Sequence, residues 1–164
     1  GDAAILRELI KILSEHKIKV LKLNFFNPEL TLIKGNYTKI VPTKHEIFDI
    51  KKGINYLNKL GSYNHVQGLV VRNGKIISKE TYKGTKKMIL SIKKSKYLKG
   101  ILIKLPKKKQ DLRADLPTIG IDTLKDCKKA GIVGIVLKSK KNIFLDQKKS
   151  INYANNNKMF ILVK

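Results

Sequence analysis

The chain carries 164 residues, 42% of them hydrophobic, and a formal net charge of +24. That length holds one domain or two small ones and can bury a core without staples. A single cysteine excludes an internal disulfide, no apolar run approaches the ~20 residues of a membrane-spanning helix, and no signal peptide opens the chain.

In chain order, apolar residues at 5, 6, 9, 10, 12 and 13 predict a helix over 3–16. Residues 17–23 alternate as a strand, and 24–42 read as loop around Asn27-Pro28, Gly35-Asn36 and Pro42. Thr43 and Glu46 have the spacing of a capping box and open an amphipathic helix that Gly61 closes. Residues 67–80 read as two strands around Asn73-Gly74, a strong hairpin signal. A helix over 85–97 follows, then a buried strand over 100–105 that Pro106 ends. Cys127 falls in a short helix over 122–131, most simply as a small core residue. Strands over 132–138 and 142–146, a helix over 146–157 and a strand over 158–164 complete the chain. Helices and strands alternate, so the expected class is α/β, a mixed, mostly parallel sheet flanked by helices in a single domain. His16, His45 and His65 lack partners at metal-ligand spacing and read as surface or cap residues.

The charge has a bland reading. All but three of the 36 basic residues are lysine, scattered along the chain with few aromatics between them. Detailed phosphate recognition uses arginine's planar fork, and base stacking needs aromatic platforms. The lysines therefore read first as a coat on solvated positions. The other reading is a surface for an anionic partner: nucleic acid, anionic lipid or a diphosphate substrate.

The acidic residues are less scattered. Four of the twelve lie between Asp111 and Asp126, and two of them flank Arg113. Pro106 and Pro117 bracket a loop that follows a buried strand, the place where open α/β sheets bind ligands. Run extended, it would project Asp111, Arg113 and Asp115 to one side and Leu112, Ala114 and Leu116 to the other. Those carboxylates suit Mg²⁺ or another divalent metal, and Arg113 with the N–H groups near Thr118 to Gly120 suits phosphate. A second reading is that Asp111 and Asp115 pair with Arg113 or nearby lysines and merely fix the loop.

The string from Lys107 through Gln110-Asp111-Leu112-Arg113-Ala114-Asp115-Leu116-Pro117-Thr118-Ile119-Gly120 resembles the signature of the LpxI-type UDP-2,3-diacylglucosamine pyrophosphatases. Ala4-Ile5-Leu6-Arg7, Gly68-Leu69-Val70-Val71 with Gly74 and Glu80, Gly84-Thr85 with Met88, Gly100 to Lys104, Ala130-Gly131 and Met159 to Val163 fall in the same order as in that family. The resemblance implies a C-terminal catalytic-type domain over 1–164, with a preceding N-terminal domain as its missing partner. It implies metal-assisted hydrolysis of UDP-2,3-diacylglucosamine to 2,3-diacylglucosamine 1-phosphate (lipid X) and UMP, in the lipid A pathway, at the cytoplasmic face of the inner membrane. One aspartate of the motif is then critical, with Asp115 slightly preferred over Asp111. Arg113, Gln110, Lys104, Lys107, Thr118, Gly120, Gly84 and Thr85 would bind substrate, and Glu80 would join Asp111 and Asp115 at the metal. An anionic membrane surface and a homodimer stay open as partners, and nucleic acid is disfavoured.

The chain departs from the family pattern where an acidic Glu-Gly-Thr-Asp turn is usual, for here Lys83 and Lys86 flank Gly84-Thr85. If those lost acids matter, the activity is altered or absent. The competing reading is a non-catalytic basic domain that binds anionic lipid or nucleic acid.

Overall fold

The structure, a computed structural model, describes residues 2–61 and 64–164. Its elements are helices α1 (Asp2–Glu15), α2 (Leu23–Phe26), α3 (Lys44–Lys59), α4 (Gly84–Leu90), α5 (Ile121–Lys129) and α6 (Gln147–Asn156), with strands β1 (Gly35–Asn36), β2 (Gly68–Arg72), β3 (Lys75–Lys79), β4 (Gly100–Lys104), β5 (Thr118–Ile119), β6 (Ile132–Leu137), β7 (Ile143–Phe144) and β8 (Phe160–Val163). Six strands form one sheet in the order β1-β8-β6-β4-β2-β3, while β5 and β7 pair in a small second sheet. The centre, β4-β6-β8, is parallel, and β1, β2 and β3 add antiparallel edges. This is the α/β class the alternation of elements predicts.

The central strands are buried on both faces and read as continuous apolar runs, as parallel strands between helical layers must. One face packs Val70, Leu102, Ile135 and Ile161 against residues of α4, α5 and α6, among them Met88, Ile89, Leu124, Cys127 and Ala154. The other packs Leu69, Val71, Ile101, Ile103 and Leu105 against Ile50 and Leu57 of α3. Two glycines make this layering close. A Cβ on Gly53 would collide with Ile103 Cδ1 and press on Leu69 and Val71 at 3.0 Å, and one on Gly134 would enter the Phe160 ring. Cys127 is fully buried, and burial pushes its thiol pKa well above the ordinary range.

The expected α3 start is present as a complete capping box. Glu46 N–H donates to Thr43 Oγ1 at 3.3 Å and Thr43 N–H donates to Glu46 Oε2 at 2.7 Å. Asn73 and Gly74 both take positive φ, 47° and 71°, and join β2 to β3. Gly74 N–H donates to the buried Asp49 carboxylate of α3 at 2.6 Å, which ties the hairpin to the helix above it.

Three local expectations fail. The strand expected over 17–23 is absent: α1 ends in a Schellman turn, with Lys17 at φ 60°, Ile18 N–H donating to Leu13 O at 2.9 Å and Lys17 N–H to Ser14 O at 3.0 Å, and Leu23 opens α2. The helix expected over 85–97 stops at Leu90, where the Ser91 hydroxyl donates to Met88 O at 2.8 Å and diverts that carbonyl. The loop from 106 to 117 is not extended. Asp111 Oδ1 accepts the Arg113 backbone N–H at 3.0 Å, and Asp111 O accepts the Asp115 N–H at 2.8 Å, so the chain turns.

Candidate active site

The carboxyl ends of β4, β6 and β8 point to one edge of the molecule, and the loop after β4 lies over them. β4 ends on Lys104, whose side chain lies on the α4/α5 face, while Leu105 faces α3. Lys104 is buried at 5% exposure, as is Glu80 just after β3. Glu80 Oε1 accepts the Thr85 hydroxyl at 2.7 Å and lies 3.8 Å from Lys104 Nζ, and Lys104 Nζ also donates to Thr85 Oγ1. Glu80 is therefore no surface acid at a strand end. Burial pulls the Lys104 pKa below its ordinary value, and the Glu80 charge and hydrogen bonding oppose that pull without cancelling it. The second carboxylate oxygen, Glu80 Oε2, is buried with no hydrogen-bond partner.

Gly84 takes φ 82° with open space around its Cα, and starts the short α4 that delivers Thr85 to this cluster. Lys83 and Lys86 flank it.

The turn after β4 sorts its residues. Asp111 and Arg113 face a cleft of about 590 Å³ beside Arg7 and Lys11 of α1. Arg113 Nε and an Nη grip both Asp111 oxygens, at 2.7 to 3.2 Å. That hydrogen bonding holds the Asp111 carboxyl below the usual range and raises the Arg113 guanidinium. Gln110 and Leu112 turn the other way and line a pocket of about 460 Å³ against α3. Gln110 Oε1 accepts the Lys107 N–H at 2.9 Å, and its Nε2 is buried without a partner. The Asp115 carboxylate is half-buried and makes no side-chain hydrogen bond or ion pair among the described residues. Thr118 is exposed in β5, and Gly120 caps α5 with its Cα close to Leu145.

The structure thus brings together Glu80, Thr85 and Lys104, separately Asp111 with Arg113, and separately Lys107 with Gln110. Asp111 is held by a guanidinium and Glu80 Oε1 by an ammonium and a hydroxyl, which leaves Asp115 and the buried Glu80 Oε2 without partners. No group of three His, Cys, Asp or Glu side chains suited to a metal occurs among the described residues, so any ion here would draw further ligands from substrate or water.

Sequence reasoning missed the far wall of the α3 pocket. Lys51, Lys138, Lys141 and Lys164 line it with Lys107 and Lys108, above Ile54, Leu105 and Leu112. The available signal was position, because Lys138 and Lys164 directly follow β6 and β8, and ligands of open α/β sheets gather at such strand ends.

A three-layer α/β domain with a polar loop over the carboxyl ends of its parallel strands is a ligand-binding or enzymatic architecture. The family is more specific: residues 33–162 match the LpxI C-terminal domain, and the chain belongs to that family. A relative from Caulobacter vibrioides, a UDP-2,3-diacylglucosamine pyrophosphatase, is 28% identical over 170 residues, covering 99% of this chain and 61% of the relative. The chain thus spans less than two thirds of that protein's length. No helix among the described residues is long and apolar enough to cross a membrane.

Proposed function

We propose that this chain is the hydrolytic domain of a UDP-2,3-diacylglucosamine pyrophosphatase, cleaving the diphosphate to lipid X and UMP. The observation that carries the reading is the loop 106–117, seated at the carboxyl end of β4, with a carboxylate free of side-chain partners at Asp115 and a cationic pocket beside it. A water attacks the α-phosphorus, and the bridging oxygen leaves with the lipid phosphate. Asp115 accepts a proton from that water, the role open to an unpaired carboxylate. Asp111 is already neutralised by Arg113, so its part is to hold the turn that presents Asp115. Gln110 Nε2, buried and unpartnered, is a donor for a phosphoryl oxygen. Thr85 and Lys104 hold the floor of the loop through Glu80.

A divalent metal would be held by Asp115 together with substrate phosphate oxygens, and would supply polarisation of the phosphoryl group. Phe25, Phe26 and Ile33 are exposed, as are Ile5, Leu9 and Ile12 along α1. We assign them to contact with the remaining part of the protein, an N-terminal domain, because the relative is longer than this chain.

The test is UMP release from UDP-2,3-diacylglucosamine by the full-length protein, with Mg²⁺ and then with EDTA. Asp115→Ala should lower kcat by about 10²–10³-fold with the fold intact. Unchanged turnover in that variant rejects Asp115 as the base. No turnover by the parent protein, with binding to anionic vesicles, would leave the non-catalytic basic domain as the function.

A further inference from the structure

We propose that Asn142 is a positioning residue of the candidate site: its side-chain amide clasps the foot of loop 106–117 and so sets where Asp115 stands. The clasp rests on geometry alone, and its consequence for turnover rests on the hydrolase reading.

Three observations lead to it. First, Asn142 is 2% exposed, and its amide is shared between the ends of two strands. Oδ1 accepts the Lys138 N–H at 2.8 Å, and Nδ2 donates to the Lys104 carbonyl at 3.2 Å. β4 and β6 pair as far as Lys104 and Leu137. The amide therefore spans from the last β4 carbonyl to the N–H just past β6, and adds one side-chain rung where the ladder stops. That rung needs a donor and an acceptor on one side chain, which no apolar residue and no ionised carboxylate supplies.

Second, the next residue holds the other foot. Ile143 N–H donates to Pro117 O at 3.0 Å, and Ile143 and Phe144 pair with Thr118 and Ile119. The loop departs after β4 and returns at Pro117, so two consecutive residues grip both its ends. The turn that presents Asp115, closed by the Asp115 N–H on Asp111 O, is carried on those feet.

Third, the gripping segment is itself fixed from the far side. Ser139 N–H donates to Lys164 O at 2.7 Å, and Lys140 N–H donates to Leu32 O at 2.9 Å. A clasp on a free loop would follow what it holds; one anchored at Leu32 and Lys164 places it. Placement is what the reaction needs, since a shift of about 1 Å in a reacting group can cost about 10²-fold in rate.

The experiment measures turnover and amide hydrogen exchange on the full-length protein carrying Asn142→Asp. The isosteric carboxylate still accepts from Lys138 and, ionised, cannot donate to the Lys104 carbonyl. kcat for UMP release should fall by about 10²-fold with KM little changed. The Ala114 and Asp115 amides should exchange faster, while those of Ile103 and Val136 in the sheet should not. Asn142→Ala loses both bonds and adds no charge; it should behave alike, and covers the case in which a buried carboxylate unfolds the protein. Asp49→Ala is the control. It removes another buried tie, to the Gly74 N–H, and should lower the melting temperature with kcat and loop exchange unchanged.

A kcat loss in Asp49→Ala equal to that of the Asn142 variants would reduce the effect to stability and overturn the proposal. So would kcat and loop exchange like those of the parent in both Asn142 variants, or a change in either one without the other. No turnover by the parent would defeat the hydrolase reading instead. Loop exchange alone would then decide the clasp: faster exchange in the Asn142 variants keeps it, and unchanged exchange overturns it.

Discussion

Lys104 ends β4 and Lys107 follows three residues later; the Lys107 charge adds to the burial that lowers the Lys104 pKa, yet the two meet different surroundings. Lys104 points to the α4/α5 face, loses its water, and is met by Glu80 and Thr85. Lys107 stands at the rim of the α3 pocket among five other lysines with no counter-charge. The pleat of β4 places Lys104, its last residue, whereas Lys107 is placed by the turn after Pro106, in which its N–H donates to Gln110 Oε1. In a chain where lysine fills so many positions, the residue type carries little information. Its place in the fold carries the rest: one lysine closes the core, the other stands in a cationic pocket.

The largest effect should come from breaking the compensated side. Glu80→Gln leaves Lys104 buried beside a neutral amide and should cost about 3 kcal/mol in urea unfolding near neutral pH. The folded pKa of Lys104 already lies below its unfolded value, so the unfolded chain binds the proton more readily. Stability from this group therefore rises as pH climbs through the folded pKa toward the unfolded one. Removing Glu80 removes the influences that hold the folded pKa up. The deficit of the variant should shrink as pH rises toward the ordinary lysine range; a deficit that does not change with pH there would mean that Lys104 is not the group responsible.

Gly53→Ala sharpens the comparison from the other face. α3 carries Lys51, Ile54 and Asn55 of the pocket wall, and Gly53 lets it approach Ile103 closely. The added methyl should cost about 2 kcal/mol and raise KM for UDP-2,3-diacylglucosamine, because the wall must move outward. Loss of stability with unchanged KM would show that the pocket does not depend on the seat of α3. Thr43→Ala removes the cap at the far end of the same helix, and should cost about 1 kcal/mol by chemical denaturation with no change in KM.

The smallest effect is at Arg113. Its partner Asp111 has a folded pKa below the unfolded one, so their pairing stabilises the fold above the unfolded pKa and is lost as pH falls through the folded one. Arg113→Ala should return the Asp111 carboxyl toward its ordinary range in an NMR titration, with little change in stability, since the pair is solvent-screened. An unmoved Asp111 titration would assign its low pKa to backbone hydrogen bonds instead.

The sheet was legible because its central strands β4, β6 and β8 are near-continuous apolar runs, and its turns carry Asn73-Gly74, Gly131 and Pro106. α3 was legible in detail, since a capping box is written in two residues, Thr43 and Glu46. What stayed hidden depends on contacts distant in sequence. The two-residue strands β1 and β5 have no pattern of their own and exist through pairing with β8 and β7. Residues 17–22 alternate well but find no strand to pair with. In the site, the motif named the loop, yet not its turn, which follows from one Asp111 hydrogen bond to the Arg113 amide. Burial of Glu80 follows from the return of β3 alongside β2, which nothing local to Glu80 announces.

β8 lies between β6 and β1, and Gly35 pairs with Val163. On a ribosome, the first strand must therefore wait for the last. The ~130 residues between them take on the order of ten seconds to synthesise at ~5–20 residues per second. β6 (Ile132–Leu137) precedes β8 (Phe160–Val163) by only about two dozen residues, so for the last few seconds of that interval its apolar edge is uncovered, a template for mispairing with a neighbouring nascent chain. Chaperone demand should accordingly peak between the emergence of β6 and the emergence of β8.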